Sequence, residues 1–284
     1  MTRRTLAREI TATGTALHAG TKVRMTLSPA PSGSGIVFHR SDVGQDIPAR
    51  YDAVTETNLG TVLTGPGGAK IGVVEHLMAA VAGAGVDDMR VTVDGDEPPI
   101  LDGDALSYLK LLQDAGFAEQ PGAKHAIKVV KPVEIAIKDA RITLHPSDVT
   151  EYSYELDYSN TKAIGKQTYA LAFTPGAFAD EIAPARTFGF LHELDYLKKI
   201  NRGHGASLEN TLAIDGDAVL NADLMRFPDE FVRHKVLDAI GDMALAGGPL
   251  IARFEGVKSG HATNNAVLRA LFADPSNYEV VPLP

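Results

Sequence analysis

Residues 232–257 read Val-Arg-His234-Lys235-Val-Leu-Asp238-Ala-Ile-Gly-Asp242-Met-Ala-Leu-Ala-Gly-Gly-Pro-Leu-Ile-Ala-Arg-Phe-Glu-Gly-Val. The pattern predicts a helix over Glu230–Ala246, a break at Ala246-Gly247-Gly248 and a strand over Leu250–Val257. A loop and a helix over Asn264–Phe272 follow. The same plan occurs earlier in the chain. A helix over Val73–Ala82 is ended by Gly83 and Gly85, and a strand covers Met89–Val93. A loop and a second helix, about Ala105–Ala115, complete that copy. Two copies of one plan predict a duplicated α+β unit. Its simplest form is two sheets, each covered by helices on one face, with the helical faces packed together. A pocket between the halves is the natural place for a site.

Outward from these copies the chain reads as strands. Thr5–Thr13, Lys22–Ser28 and Gly35–Arg40 precede the first copy. Ile127–Val130, Val133–Ile137, Arg141–Leu144 and Ser153–Tyr158 precede the second. A further helix is expected over Leu191–Lys199. Glu119–Lys124, Glu-Gln-Pro-Gly-Ala-Lys, reads as a linker.

The composition narrows the chemistry. The 284 residues are 44% hydrophobic and 22% charged, which is ordinary globular usage. With no cysteine, disulfides, thiolate metal sites and cysteine nucleophiles are excluded. A transition metal must then be held by His and carboxylates. A net charge of −9 argues against a nucleic-acid partner but allows a local basic pocket for one anionic ligand. No apolar run follows Met1-Thr2-Arg3-Arg4, so no signal peptide is expected. No run of about 18 apolar residues occurs, so no transmembrane segment is expected. A cytoplasmic protein is the expectation.

The Glu230–Ala246 helix carries the chemistry. With about 100° per residue and His234 at zero, Asp238 falls near about 40° and Asp242 near about 80°. Lys235 lies close by, and Val236, Leu237, Ile240, Met243 and Ala244 occupy the opposite face. His and Asp at i and i+4 can chelate one metal, although a solvated polar face would show the same spacing. Glu75-His76 opens the equivalent helix of the first copy, which is otherwise apolar or small. A capping carboxylate beside a hydrogen-bonded His is its plainer reading. Together, His76, His234 and Asp238 suit a catalytic zinc with one open position, and Glu75 is placed to act as general base. His261, in Gly-Val-Lys-Ser-Gly-His between a strand and a helix, could serve as a charged stabiliser or proton donor paired with Asp242. His39, His125, His145, His192 and His204 lack such context and read as surface or structural.

A series of motifs runs nearly end to end. It comprises Thr13-Gly-Thr-Ala-Leu-His18-Ala-Gly, Thr57-Asn-Leu-Gly, Val74-Glu75-His76-Leu77, Pro98-Pro-Ile-Leu-Asp102-Gly and Ala185-Arg-Thr187-Phe188-Gly-Phe190. Ser207-Leu-Glu-Asn210, Arg226-Phe, the Glu230–Asp242 stretch and Lys258-Ser-Gly-His261 complete it. In this order the chain resembles the UDP-3-O-acyl-N-acetylglucosamine deacetylases, zinc amidases of lipid A biosynthesis in Gram-negative bacteria. The resemblance implies two β-α-α-β layered domains, residues 1–121 and 126–284, joined through residues 119–126, with the helices sandwiched between the two sheets. It implies one Zn²⁺ per chain on His76, His234 and Asp238, Glu75 as general base, and His261 as catalytic histidine partnered by Asp242. Thr187 would help hold the oxyanion and Phe188 would line the sugar site. Lys235 and Lys258 would lie near the diphosphate, and Tyr158 would stack on the uracil.

The implied substrate is a UDP-linked acylated amino sugar, its acyl chain expected around Phe190, Leu191, Leu194 and Ser207–Leu208. Transient contact with the inner face of the membrane and a monomeric state are further expectations. The chain departs from the family in carrying Ala140 where a turn lysine is frequent, and Val62 where cysteine is frequent. Two other readings compete: a zinc deacetylase of a different acylated amine, and a non-catalytic sugar-nucleotide-binding relative.

Overall fold

The computed structural model describes residues 1–283. Each half is built on one five-stranded sheet with the same connectivity. In the first half the order across the sheet is Ile10–Thr15, Lys22–Pro29, Met89–Val93, Ile36–Arg40, Gln45–Pro48. In the second it is Val133–Ile137, Ala140–His145, Arg253–Val257, Glu151–Tyr158, Gly165–Ala172. In both, the last strand in sequence inserts at the centre. There it pairs antiparallel with the second strand and parallel with the third. The duplication expected from two short copies therefore extends to the whole sheet, and the fold is α+β.

The four longer helices pack against one another and on the sheets. Helix Glu75–Ala84 precedes the central strand of the first half, and helix Glu230–Ala244 that of the second. Helices Leu106–Ala115 and His261–Ala273 follow those strands. Helix Glu75–Ala84 ends at Gly85, whose φ of +68° is the left-handed conformation that glycine adopts without steric cost. Gly83, expected as part of that stop, remains helical. A Cβ there would stand 2.1 Å from Cδ1 of the buried Phe178 ring, so its bare backbone makes room for that ring. The two halves share one apolar core. Leu77, Met78 and Val81 of one helix, and Val236, Leu237 and Ile240 of the other, belong to the same cluster. Removing a buried leucine such as Leu77 from so closely packed a core costs about 2–5 kcal/mol.

Several expectations are corrected. The Glu119–Lys124 segment is not an open linker: Phe117–Ala123 is a strand antiparallel to Thr2–Leu6. Its Pro121-Gly122 pair is absorbed as a bulge, because Arg3 faces Gln120 while Thr2 faces Ala123. Thr5–Thr13 is two strands, because Leu6 ends the pairing with Phe117 and Ile10 begins the pairing with Leu27. Leu250–Val257 is likewise split: Leu250 pairs with Ile127, while Arg253 onward joins the main sheet. Leu191–Lys199 is a 3-10 turn over Leu191–Glu193 leading into helix Leu194–Lys199. Each half also carries an insertion before its first long helix. The first forms strands Val54–Glu56, Val62–Thr64 and Lys70–Ile71. The second includes strands Phe188–Phe190, Leu212–Asp215 and Ala218–Val219.

Candidate active site

The two long helices meet at a glycine. A Cβ on Gly241 would stand 1.9 Å from the carbonyl oxygen of Glu75, so only glycine permits this approach. It brings the first turn of one helix against the middle of the other. Glu75 and His76 are each 3% exposed, and His234, Asp238 and Asp242 are 2%, 4% and 3% exposed. This burial excludes the solvated-face reading of the His234–Asp242 row.

Three candidate ligand atoms converge. Nε2 of His234 lies 3.4 Å, and Nε2 of His76 3.6 Å, from Oδ1 of Asp238. Both separations are too long for good hydrogen bonds. Asp238 Oδ1 is buried with no hydrogen-bond partner. Nδ1 of His234 is 3.0 Å from the carbonyl oxygen of Ala185. A carbonyl can only accept, so Nδ1 carries the proton and the Nε2 lone pair faces Asp238. Burial pushes the His234 imidazole down to about 3, against the pull of Asp238. A neutral nitrogen lone pair facing an unpartnered carboxylate oxygen, both buried, calls for a cation between them. In a tetrahedral zinc site with ligands at about 2.0–2.1 Å, neighbouring ligand atoms stand about 3.3–3.4 Å apart. The donor set His76, His234 and Asp238 therefore fits a divalent metal of the zinc type.

Lys235 completes this cluster. Its Nζ donates to Asp238 Oδ2 at 2.6 Å. Burial opposes ionisation of Asp238, yet the Lys235 ammonium holds its carboxyl well below the usual carboxylate range. The structure thus seats Lys235 on a metal-ligand candidate, with 16% of its side chain still exposed.

Beside the three ligand atoms stand Glu75 and His261. Glu75 Oε2 accepts from the Thr61 backbone N–H at 3.0 Å, and Oε1 lies 3.7 Å from His261 Nε2. Burial raises the Glu75 carboxyl above its ordinary value, against the pull of His261 and His76. His261 Nδ1 donates to Asp242 Oδ2 at 2.8 Å. Burial works against the imidazolium, but Asp242 and Glu75 outweigh it and lift His261 to about 9. His261 also opens its helix, where the dipole disfavours a cation. The carboxylates overcome that as well. Reading the sequence missed Thr61 and Asn264, both of which bond Asp242, and the Ala185 carbonyl.

The second insertion supplies one wall. Ala185 holds His234, and Arg186 pairs with Glu230 at 3.0 Å. Thr187 follows, its N–H donated to Gly103 and its carbonyl accepting from Leu212. Phe188 comes next, its ring centroid 6.3 Å from that of His234. Tyr158 lies 6.1 Å from Phe188 and 5.4 Å from Phe190, centroid to centroid, so these three rings form one aromatic cluster. Leu191 is half-buried, while Ser207 and Leu208 are exposed. Lys258 Nζ sits 3.2 Å from Asp157 and 3.6 Å from Asp139. Of the histidines set aside, His39 pairs with Asp46 and His204 with Asn201. A cavity of about 320 Å³ lies toward the other ends of the two long helices, bounded by Met78, Val81, Ile240 and Met243. Its rim cations Arg3, Arg50 and Lys124 are matched by Asp88, Asp52 and Asp87. Among the described residues no helix is long and apolar enough to cross a membrane.

Comparison with known proteins supplies the family. A model of the UDP-3-O-acyl N-acetylglycosamine deacetylase family matches residues 3–273. A UDP-3-O-acyl-N-acetylglucosamine deacetylase of Aliarcobacter butzleri is 42% identical over 284 residues, covering 100% of this chain and 94% of the relative. The enzyme of that name from Myxococcus xanthus is 44% identical, covering 99% of this chain and 89% of its own length. That from Phenylobacterium zucineum is 45% identical, covering 94% and 92%. With a family match over residues 3–273 and relatives matched over nearly their whole length, the chain belongs to the UDP-3-O-acyl N-acetylglycosamine deacetylase family and is a hydrolase.

Proposed function

We propose that this chain removes the 2-N-acetyl group of UDP-3-O-acyl-N-acetylglucosamine, giving UDP-3-O-acyl-glucosamine and acetate. The ion is Zn²⁺, one per chain, held by His76 from the first half (residues 1–121) and by His234 and Asp238 from the second (residues 126–284). The place of the reaction is the committed step of lipid A biosynthesis, in the cytoplasm, by a monomer that makes transient contact with the inner face of the membrane. One observation carries this reading: an unpartnered buried Asp238 oxygen between two imidazole nitrogens, beside the Glu75–His261 pair. The names of the relatives supply the substrate.

When bound, the metal supplies Lewis acidity toward the acetyl carbonyl and lowers the pKa of water toward 7. The residues of the chain do the rest. Glu75 takes the proton of the attacking water, and its burial-raised carboxyl is better matched to that task near neutral pH than an exposed one. The His261 imidazolium, lifted to about 9, offers positive charge where the carbonyl oxygen gains electrons. As the carbon–nitrogen bond breaks, His261 Nε2 gives its proton to the leaving amine, while Asp242 holds the ring from the other side. The Thr187 hydroxyl assists at the oxyanion, and Phe188 packs against the sugar. Tyr158 offers a ring to the uracil, and Lys235 and Lys258 provide positive charge toward the diphosphate. Phe190, Leu191 and Ser207 border the acyl chain.

The test is acetate release from the purified protein given the UDP-linked substrate. Turnover that disappears with a chelator and returns with zinc supports the reading. Hydrolysis of an acylated glucosamine without UDP at the same kcat/KM would replace it with a deacetylase of another amino sugar. UDP binding without hydrolysis would favour the non-catalytic relative.

A further inference from the structure

The Thr57-Asn-Leu-Gly motif and the threonine that follows it have no part in the scheme above. We propose that Thr61 is a positioning residue whose hydroxyl orients Asp242, and through it the His261 imidazole, against Glu75. This rests on the roles given above to Glu75 and His261.

Thr61 is 1% exposed and touches both carboxylates at once. Its backbone N–H donates to Glu75 Oε2 at 3.0 Å, and its Oγ1 donates to Asp242 Oδ1 at 2.5 Å. Thr61 lies 181 residues from Asp242, so this bond joins the two halves. The other Asp242 oxygen accepts from His261 Nδ1 at 2.8 Å and from Asn264 Nδ2 at 2.7 Å. Thr61 fixes one oxygen and Asn264 occupies one side of the other, which leaves that oxygen's remaining side to receive His261. That direction leaves His261 Nε2 facing Glu75 Oε1.

The turn before Thr61 is shaped for this contact. Leu59 has φ +64° and Gly60 φ +148°. A Cβ on Gly60 would stand 3.2 Å from Glu75 Oε1, so a glycine lets the carboxylate enter. From outside, His18 Nε2 donates to the Leu59 carbonyl at 2.9 Å and holds the turn in place. Removing the hydroxyl leaves the backbone bond to Glu75 intact, so the two functions of Thr61 are separable by mutation.

Thr61→Val keeps the side-chain shape and removes the donor, whereas Thr61→Ser keeps the donor. The valine variant should lose about 10- to 100-fold in kcat, as much as is lost when the hydrogen-bond partner that orients a metal-ligating side chain is removed. KM should stay within about twofold, metal content should be unchanged, and serine should restore most of the turnover. In ¹⁵N-histidine spectra, assigned with His261→Gln, the His261 Nδ1 proton should be protected from exchange in wild type and in the serine variant. It should exchange rapidly in the valine variant. Full kcat in Thr61→Val, serine no better than valine, or a kcat loss that tracks lost metal would overturn the proposal. If the valine variant does not fold, Thr61→Ala makes the same comparison with serine. If wild type releases no acetate, the proposed function fails while the histidine spectra still decide the role of Thr61.

Discussion

The helices Glu75–Ala84 and Glu230–Ala244 occupy the same place in two copies of one topology, yet they carry different loads. The first spends its chemistry in its first turn, at Glu75 and His76, and is small or apolar thereafter. The second carries His234, Asp238 and Asp242, one turn apart, through its middle and last turns. Neither set is complete alone: the first half lacks a carboxylate ligand, and the second lacks Glu75. The repeated sheets set where the helices cross, and divergence of side chains at the crossing makes the site. Gly241 marks that crossing, while Gly83, on the other helix, accommodates a phenyl ring.

The largest effects should come from one residue of each half. Glu75→Gln and His261→Gln should each lower turnover by about 10²- to 10⁴-fold, the range for a lost acid or base. Both should leave metal content unchanged. Initial rates and metal analysis on the same preparations check this, and near-normal turnover in either variant would remove that residue from the scheme.

Next come the two glycines. Gly241→Ala and Gly83→Ala should each cost about 1–3 kcal/mol by overpacking, measured by denaturant unfolding. They should differ at the site. Gly241→Ala pushes on the Glu75 backbone and should lower turnover and metal retention, whereas Gly83→Ala presses on Phe178 and should leave metal bound. Equal metal loss in both would mean that the whole interface, rather than the crossing point, governs the site.

The smallest effect is a pH dependence of stability in metal-free protein. His261 is lifted to about 9 in the folded chain, against about 6.5 for an unperturbed histidine. The folded state therefore binds this proton more tightly than the unfolded state does. The stabilisation is fully present below about pH 6.5 and is lost as pH rises through about 9. The Tm should fall across that window, and His261→Gln should flatten the fall. Equal slopes in the two proteins would show that His261 is not held by Asp242 and Glu75.

Much of this was legible because local pattern and tertiary role coincide. The periodicity of Glu230–Ala244 places three polar side chains on one strip, and the Glu75-His76 pair is conspicuous at the head of an apolar helix. The halves were recognisable from their helix–strand–helix order. Thr61 was not legible, because its value lies in a bond to a residue 181 positions away and in a turn with two positive φ angles. The Ala185 carbonyl carries no side-chain signal at all. Gly241 was readable as an isolated glycine inside a helical pattern, which commonly marks close packing, but its partner was not. Strand Phe117–Ala123 was missed because Pro121-Gly122 is turn chemistry that a bulge absorbs when an N-terminal strand lies alongside. The short strands of the two insertions pair mainly with one another, and three residues such as Val62–Thr64 show no period.

The central claim is that the metal is held across the two halves. The most direct measurement is metal content by plasma mass spectrometry on wild type, His76→Ala and His234→Ala after matched dialysis. Wild type should carry about one zinc per chain, as the three-ligand set allows, and both variants should lose it. A folded His76→Ala protein that keeps its full zinc would place the metal within the second half alone and contradict it. A folded wild type that takes up no zinc at all would contradict it as well.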